Sequence, residues 1–349
     1  MINIELLSQV CKIPGAPGFE QKIRAFILNH ISPFVDDVYT DTMGNVIAFK
    51  KGKENKKVMI AAHMDEISFI VTYIDDDGFI RFQPLGGFDP KTLTAQRVII
   101  HGKKDIIGVM ASKPVHIMKP EEKTKVPDIK DYYIDTGLSS EKVKELVAPG
   151  NPITRERELI QMGQCVNSKS LDNRVSVFAL LEALKELKDR ETPYDIYGVF
   201  TVQEEVGLRG ATVASSEINP DFGIALDTTI AYDLPGANPQ EVVTKLGKGT
   251  AIKILDGMTI ADYRMVNFLK QTAENNNIDY QLEILPAGGT DTASLQRSGK
   301  GGSIAGAISI PTRHLHQVIE MSHTKDIRNS IDLLNKALME IDNYDWSFK

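Results

Sequence analysis

Apolar residues fall at Ile23, Phe26, Ile27 and Ile31 in the stretch Glu20 to Ile31, a three-and-four spacing that predicts an amphipathic helix. The same rhythm predicts a helix over Arg174 to Lys188, with Val175, Phe178, Leu181, Leu184 and Leu187 on one face. It predicts another over Asp262 to Asn276, and a closing helix over Asp326 to Ile341 whose stripe is Ile331, Leu334, Leu338 and Ile341. Between these lie short continuous apolar runs that read as buried strands: Lys57 to Ala62, Asp195 to Val202, Phe222 to Leu226, Tyr280 to Leu285 and Ser303 to Ile310. Helix and strand in alternation predict an α/β fold, with a mostly parallel central sheet covered by helices on both faces.

One part of the chain breaks this rhythm. From about Ser68 to Gly163, short apolar segments such as Phe69-Ile70-Val71, Arg97-Val98-Ile99-Ile100 and Ile106-Ile107-Gly108-Val109 alternate with turn residues. Asp75-Asp76-Asp77-Gly78 is a strong turn signal within it. The expectation is a small β-rich, barrel-like domain over 67–165, inserted into a catalytic α/β domain made of 1–66 and 166–349. A length of 349 residues suits a large domain plus a smaller one.

Composition narrows the class only a little. The hydrophobic fraction of 42% and charged fraction of 25% are those of a globular protein, and a net charge of −7 gives no general attraction to nucleic acid or anionic membranes. No apolar stretch of about 18 residues occurs, and Met1-Ile2-Asn3-Ile4-Glu5 lacks the start of a signal peptide, so a cytoplasmic location is expected. The two cysteines, Cys11 and Cys165, make neither a disulfide framework nor a Cys-x-x-Cys pair; both are expected to be reduced.

The chemistry gathers at the ends of strands. Lys57 to Ala62 runs into His63-Met64-Asp65, Asp195 to Val202 into Gln203-Glu204-Glu205, and Phe222 to Leu226 into Asp227. Ser303 to Ile310 leads to Arg313-His314-Leu315-His316. Strand C-termini of a parallel sheet share one edge, where α/β domains place their sites. Asp172, in Ser170-Leu171-Asp172-Asn173, stands before the long helix. Singly, each has a plain structural reading: a histidine hydrogen-bonded after a strand, a solvated pair of glutamates, an Asp capping a helix. Jointly, apolar strands that deliver His, Glu, Asp and His to one edge need a compensating charge, and bound metal supplies it. Two divalent cations would be balanced by Asp172, Glu205, Asp227 and a bridging hydroxide, with His63 and His316 neutral. Nitrogen and oxygen donors favour Zn, Co or Mn.

These segments, together with Gln203-Glu204-Glu205-Val206-Gly207, Gly288-Gly289-Thr290-Asp291 and Pro311-Thr312-Arg313-His314-Leu315-His316, resemble the M42 family of metallo-aminopeptidases over nearly the whole chain. The resemblance implies two divalent metal ions per subunit, with Asp172 bridging them. His63 and Asp227 would complete one site, and Glu205 and His316 the other. Glu204 would be the general base and acid, and Asp65 the residue that orients His63. Gly288, Gly289, Thr290 and Asp291 would form the substrate-side loop. His314, where the family usually has Tyr, and His323 are further histidine candidates. In a locally extended chain His314 and His316 would point the same way. Peptide substrates are implied, and a homo-oligomer between a dimer and a dodecamer.

Other functions fit the residues less well. Glu204 and Glu205 could be the carboxyl pair of a glycosidase, in keeping with the endoglucanase label that some family members carry. That reading leaves His63, Asp227 and His316 without a purpose. A deacylase or amidohydrolase on the same metal scaffold is the nearer alternative; a non-enzymatic metal-binding protein would have no use for Glu204.

Overall fold

A computed structural model describes residues 1–348. The chain opens with helices α1 (Ile4–Lys12) and α2 (Gln21–Ile31), a hairpin of β1 (Asp37–Thr40) and β2 (Val46–Lys50), and the long strand β3 (Gly52–His63). Strands β4 (Ser68–Ile74), β5 (Ile80–Leu85), β6 (Arg97–His101) and β7 (Asp105–Ala111) follow. After them come helix α3 (Pro120–Lys123), strand β8 (Tyr133–Asp135), helix α4 (Ser140–Leu146) and strand β9 (Pro152–Arg155). The hairpin β10 (Ile160–Met162) and β11 (Cys165–Ser168) leads to helix α5 (Leu171–Glu186), strand β12 (Thr192–Thr201), helix α6 (Arg209–Ile218) and strand β13 (Phe222–Ile230). The remainder is β14 (Thr250–Leu255), α7 (Tyr263–Asn275), β15 (Tyr280–Ile284), α8 (Thr292–Arg297), β16 (Ile304–Arg313), β17 (Glu320–His323) and α9 (Thr324–Glu340).

Eleven strands form one sheet, ordered β1-β2-β12-β3-β13-β16-β17-β11-β10, with β14 and β15 branching from β16. Its centre, β12-β3-β13-β16, is parallel, and β15 runs parallel to β14. The flanking pairs β1-β2, β2-β12, β14-β16, β16-β17, β11-β17 and β10-β11 are antiparallel. Both faces of the centre are apolar, as a doubly covered sheet requires. Alternate residues of β3 show the two layers: Val58, Ile60 and Ala62 face the cluster built with α1, α2, α5, α7 and α9. Met59 and Ala61 face the one built with α6 and α8.

The periodic segments form the expected elements, with one informative difference. Helix α5 is buried on every side from Leu171 to Leu184, not only along the expected stripe. It lies between the sheet and the outer helices α1 and α9, and Val177, Ala179, Leu180 and Ala183 are buried in the same core. Helix α1, which the periodicity did not single out, is capped by Asn3, whose side chain accepts the Leu6 N–H at 3.1 Å. It buries Leu6, Leu7, Val10 and Cys11.

Strands β4, β5, β8, β7, β6 and β9 close into an antiparallel barrel with its own core, Phe69, Val71, Ile80, Phe82, Val98, Ile100, Met110 and Ile134 among it. The Asp75–Gly78 turn joins β4 to β5, with the Gly78 N–H donating to the Asp75 carbonyl at 3.2 Å and Gly78 at φ +91°. The barrel strands lie between Ser68 and Arg155, and the hairpin β10-β11 returns the chain to the main sheet by pairing with β17. Among the described residues no helix is long and apolar enough to cross a membrane.

Because α5 is enclosed on all sides, truncating its centre should be costly. Phe178 is fully buried, and Phe178→Ala is expected to lower unfolding free energy by about 3–5 kcal/mol. Leu138→Ala, at an exposed position, should change it by less than about 0.5 kcal/mol. Denaturant unfolding of both variants checks the contrast.

Candidate metal centre

The parallel register delivers two of the site residues, His63 and Asp227, to one level. His63 pairs with Thr201 at the last rung between β3 and β12. Asp227 lies two residues beyond the last rung, Ala61–Ala225, between β3 and β13, as does His63 on the other strand. Asp227 is therefore inside β13, which continues to Ile230, rather than after it as the apolar run suggested. Beyond β12 the chain turns at Gln203, whose φ is +54°. The Gln203 N–H donates to Glu20 Oε1 at 3.2 Å. The next two amides donate to opposite oxygens of Asp65, Glu204 N–H to Oδ1 at 3.1 Å and Glu205 N–H to Oδ2 at 3.2 Å. Asp65 thus holds the turn that carries both glutamates, and its Oδ1 also lies 3.4 Å from His63 Nδ1.

Asp172 sits in the middle. It and Asn173 depart from helical φ/ψ within α5, and the Asp172 N–H donates to the buried Glu320 Oε2 at 2.8 Å. Its carboxylate faces two imidazoles: Oδ1 is 3.3 Å from His63 Nε2, and Oδ2 is 3.4 Å from His316 Nε2. His63 Nε2 is also 3.7 Å from Glu204 Oε2 and 3.8 Å from Asp227 Oδ1. His316 Nε2 is 3.6 Å from Glu205 Oε2. Donor atoms of His63, Asp172 and Asp227 lie within 4.8 Å of one another, as do those of Asp172, Glu205 and His316, and those of His63, Glu204 and Glu205.

The other two histidines stand apart. After Arg313 the chain turns, with His314 at φ +63° and His316 at φ +58°, so the two side chains do not project together as they would from extended chain. His314 is exposed. His323 caps α9, its Nδ1 accepting the Lys325 N–H at 3.1 Å, and its Nε2 lies 3.0 Å from Gln164 Oε1.

The electrostatics show a cluster short of positive charge. Burial, reinforced by neighbouring carboxylates, pushes the Glu205 and Asp227 carboxyls up to about 8 and Asp291 up to about 6. Glu204 rises well above the usual carboxylate range for the same reasons. Burial alone would raise Asp172 too, but its bonds to His316 and His63 outweigh that and hold it low. Burial would lower the imidazoles; the surrounding carboxylates instead raise His316 to about 10 and His63 well above its ordinary value.

A cation fits this arrangement. The Gly87 carbonyl, from the barrel, lies 3.0 Å from His316 Nδ1 and takes its N–H. That leaves Nε2 aimed at two carboxylate oxygens, a contact between acceptors unless a proton or metal lies between. Glu205 Oε1 is buried with no hydrogen-bond partner. The donor set is nitrogen and oxygen throughout, suited to a divalent ion of intermediate hardness.

A 620 Å³ cavity opens in front of the cluster, lined by His63, Asp172, Glu204, Glu205, Asp227 and His316, and by Gly288, Gly289 and Thr290. Asp291 lies behind this wall, buried, with Oδ2 accepting the Thr201 hydroxyl at 2.6 Å. Several supporting residues had no clear mark in the sequence. Glu66 pairs with Lys169 at 2.6 Å and with Arg174 at 3.7 Å, behind the strand end and behind Asp172. Glu320 is a second such group. Lys253 was detectable in principle, as a lone cation inside the apolar run Ala251-Ile252-Lys253-Ile254-Leu255.

Comparison with known proteins agrees with this geometry. A profile of the M42 glutamyl aminopeptidase family matches residues 44–333. A putative aminopeptidase of Acetivibrio thermocellus is 43% identical over 96% of this chain and 98% of its own length. The solved structure of an aminopeptidase from Desulfurococcus kamchatkensis superposes with a TM-score of 0.92 at 37% identity, over 97% of this chain and 94% of that one. The TET1 peptidase of Pyrococcus horikoshii, described as assembling into a tetrahedron or a large octahedral shell, gives 0.87 at 33% identity, over 97% and 99%. With a matching fold, a near-full-length relative at 43% identity and a family profile across most of its length, the chain belongs to the M42 family of metal-dependent aminopeptidases.

Proposed function

We propose that this peptidase uses two divalent ions to remove N-terminal residues from peptides. The observation that carries the reading is the Asp172 carboxylate, which turns one oxygen to His63 at 3.3 Å and the other to His316 at 3.4 Å. Two of the three donor groups share this bridge: His63, Asp172 and Asp227, and Asp172, Glu205 and His316. Zn, Co or Mn suits both. Bound there, the ions supply a Lewis acid for the scissile carbonyl and make water acidic enough to yield a nucleophile at neutral pH. Glu204, outside the two groups that share Asp172 and raised in basicity by burial, takes the proton of the attacking water and passes it to the leaving amine. Asp65 orients His63 and fixes the Glu204–Glu205 turn. Gly288 to Thr290 face the substrate, and Asp291 braces them through Thr201. The free α-amino group of the substrate finds its counter-charge among the carboxylates, which suits an exopeptidase.

The glycosidase reading is weaker. The single tryptophan, Trp346, packs at 4.7 Å on Phe222 and 5.0 Å on Phe268, so it offers no sugar platform. It would also leave both histidines and Asp227 idle.

Under the same proposal, 67–165 is the inserted domain for self-association and for limiting access to the cleft, its last strand β10 pairing back onto the main sheet, and 1–66 with 166–349 is the catalytic domain. The barrel strand β7 alternates buried residues with exposed Ile107 and Val109, an apolar face suited to a second copy. Multi-angle light scattering should show a closed homo-oligomer; a fully active monomer at micromolar concentration would refute this part.

The adjacent glutamates should fail differently. Glu204→Gln keeps size but cannot accept the proton; kcat should fall on the order of 10²–10⁴ while KM and metal content hold. Glu205→Gln should lose metal, with activity partly restored by excess ion. Elemental analysis and kcat on an aminoacyl-p-nitroanilide decide: metal loss in the Glu204 variant instead would reverse the two roles.

Metal removal gives an independent readout. Ligands that bind only the folded state stabilise it, by about 2.7 kcal/mol at a hundredfold excess over Kd. Chelation should therefore lower Tm, and stoichiometric Zn, Co or Mn should restore it. An unchanged Tm would argue against a resident metal.

A further inference from the structure

Besides the carboxylates and histidines, the cavity is lined by the apolar side chains of Leu208, Ile230, Met258, Leu285, Ala287 and Leu315, its apolar wall. Lys253 and Asp256 also line it, and each faces an opposite charge. Lys253 Nζ lies 2.8 Å from Glu283 Oε1 and 3.2 Å from Asp256 Oδ2. Asp256 Oδ1 accepts the Met258 N–H at 2.8 Å, and Oδ2 accepts the Thr290 hydroxyl at 3.2 Å. Glu283 is fully buried beyond Lys253. The triad sets one cation against two carboxylates at ion-pair distance, and the buried Glu283 oxygens have no hydrogen-bond partner of their own.

We infer that this wall makes the enzyme selective for a neutral, apolar N-terminal side chain of leucine or methionine size, and that the Lys253–Asp256–Glu283 triad excludes charged ones. The inference rests on the aminopeptidase reading of the site and adds the substrate class. An acidic side chain would approach an ammonium shared by two carboxylates, with Asp227 close enough to act on Lys253. It would be desolvated without gaining a counter-charge of its own. A basic side chain would need an open carboxylate, yet the Asp256 oxygens are taken and Glu283 lies behind Lys253. It would meet the ammonium instead. An apolar side chain loses nothing by desolvation and gains the six apolar neighbours. The triad also holds the wall in shape: Asp256 ties the Met258 backbone to Thr290 of the Gly288–Thr290 loop.

The test uses the metal-loaded full chain with leucyl-, methionyl-, glutamyl- and lysyl-p-nitroanilide. The leucyl and methionyl substrates should exceed both charged ones in kcat/KM by at least about tenfold. Preference for the glutamyl substrate would overturn the inference by showing that Lys253 is open to ligand; preference for the lysyl substrate would overturn it by showing the same of a carboxylate. Turnover of none of the four would overturn the aminopeptidase reading itself, and the pocket assignment with it. A second variant tests the charge balance. Asp256→Asn leaves Lys253 with one carboxylate, so the glutamyl-to-leucyl ratio of kcat/KM should rise at least about threefold. An unchanged ratio in a folded, metal-loaded variant would show that the triad does not set selectivity. If that variant does not fold, the four-substrate comparison on the unaltered chain decides alone.

Discussion

Asp172, Glu204, Glu205 and Asp227 are held together in one cleft of low solvent access, with Asp65 and Asp291 buried behind them, and the rest of the site follows from that constraint. Like charges at such spacing repel, and removing them from water adds a desolvation cost of several kcal/mol per ion. A flexible segment would relieve this by moving apart. Here the backbone cannot: His63 and Asp227 ride on neighbouring parallel strands, and the Glu204–Glu205 turn is tied by two amides to Asp65. The cleft must therefore take up positive charge, as protons or as metal ions. The stability of the fold and the chemistry of the site are in this sense one matter.

Apart from Lys253, which lines the cavity and faces Asp256 and Glu283, fixed positive charge stands behind the cleft rather than in it. Glu66, next to Asp65, pairs with Lys169 and Arg174, and Arg174 donates to the carbonyls of Val10 and Ile13 at 2.7 Å each. This fastens the end of β3 to the segment before Asp172 and to the end of α1. It leaves the face toward the cavity for exchangeable cations, the arrangement a metal site needs if side-chain ammonium groups are not to compete for the carboxylates.

The barrel takes part as well. Gly87 accepts from His316 Nδ1, and Arg155 on β9 donates to the carbonyl of Gln317, in the same loop. The loop bearing His316 has positive-φ residues and no regular element of its own. Contacts from the other body orient it. His316, which the resemblance already singled out over His314 and His323, is thus held in place by groups more than 150 residues away in the chain.

Much of this was legible in the residues alone. Apolar runs ending in His63, Glu204-Glu205 and Asp227 mark buried parallel strands, and parallel strands bring their C-termini to one edge whatever lies between them in sequence; the metal chemistry and the main elements follow. The change of texture after Ser68 foretells the separate barrel because short alternating strands cannot continue a doubly covered parallel sheet. What the sequence could not contain is the set of facts that depend on distance between remote segments. Which oxygen of Asp172 meets which imidazole, why His316 and not His323 joins the cluster, why Asp291 lies behind the wall, and how Lys253 is neutralised by Glu283 all depend on orientation at the ångström scale. Local periodicity carries the direction a side chain faces along its own element. Only packing sets what stands opposite, and electrostatic and ligand geometry are decided there.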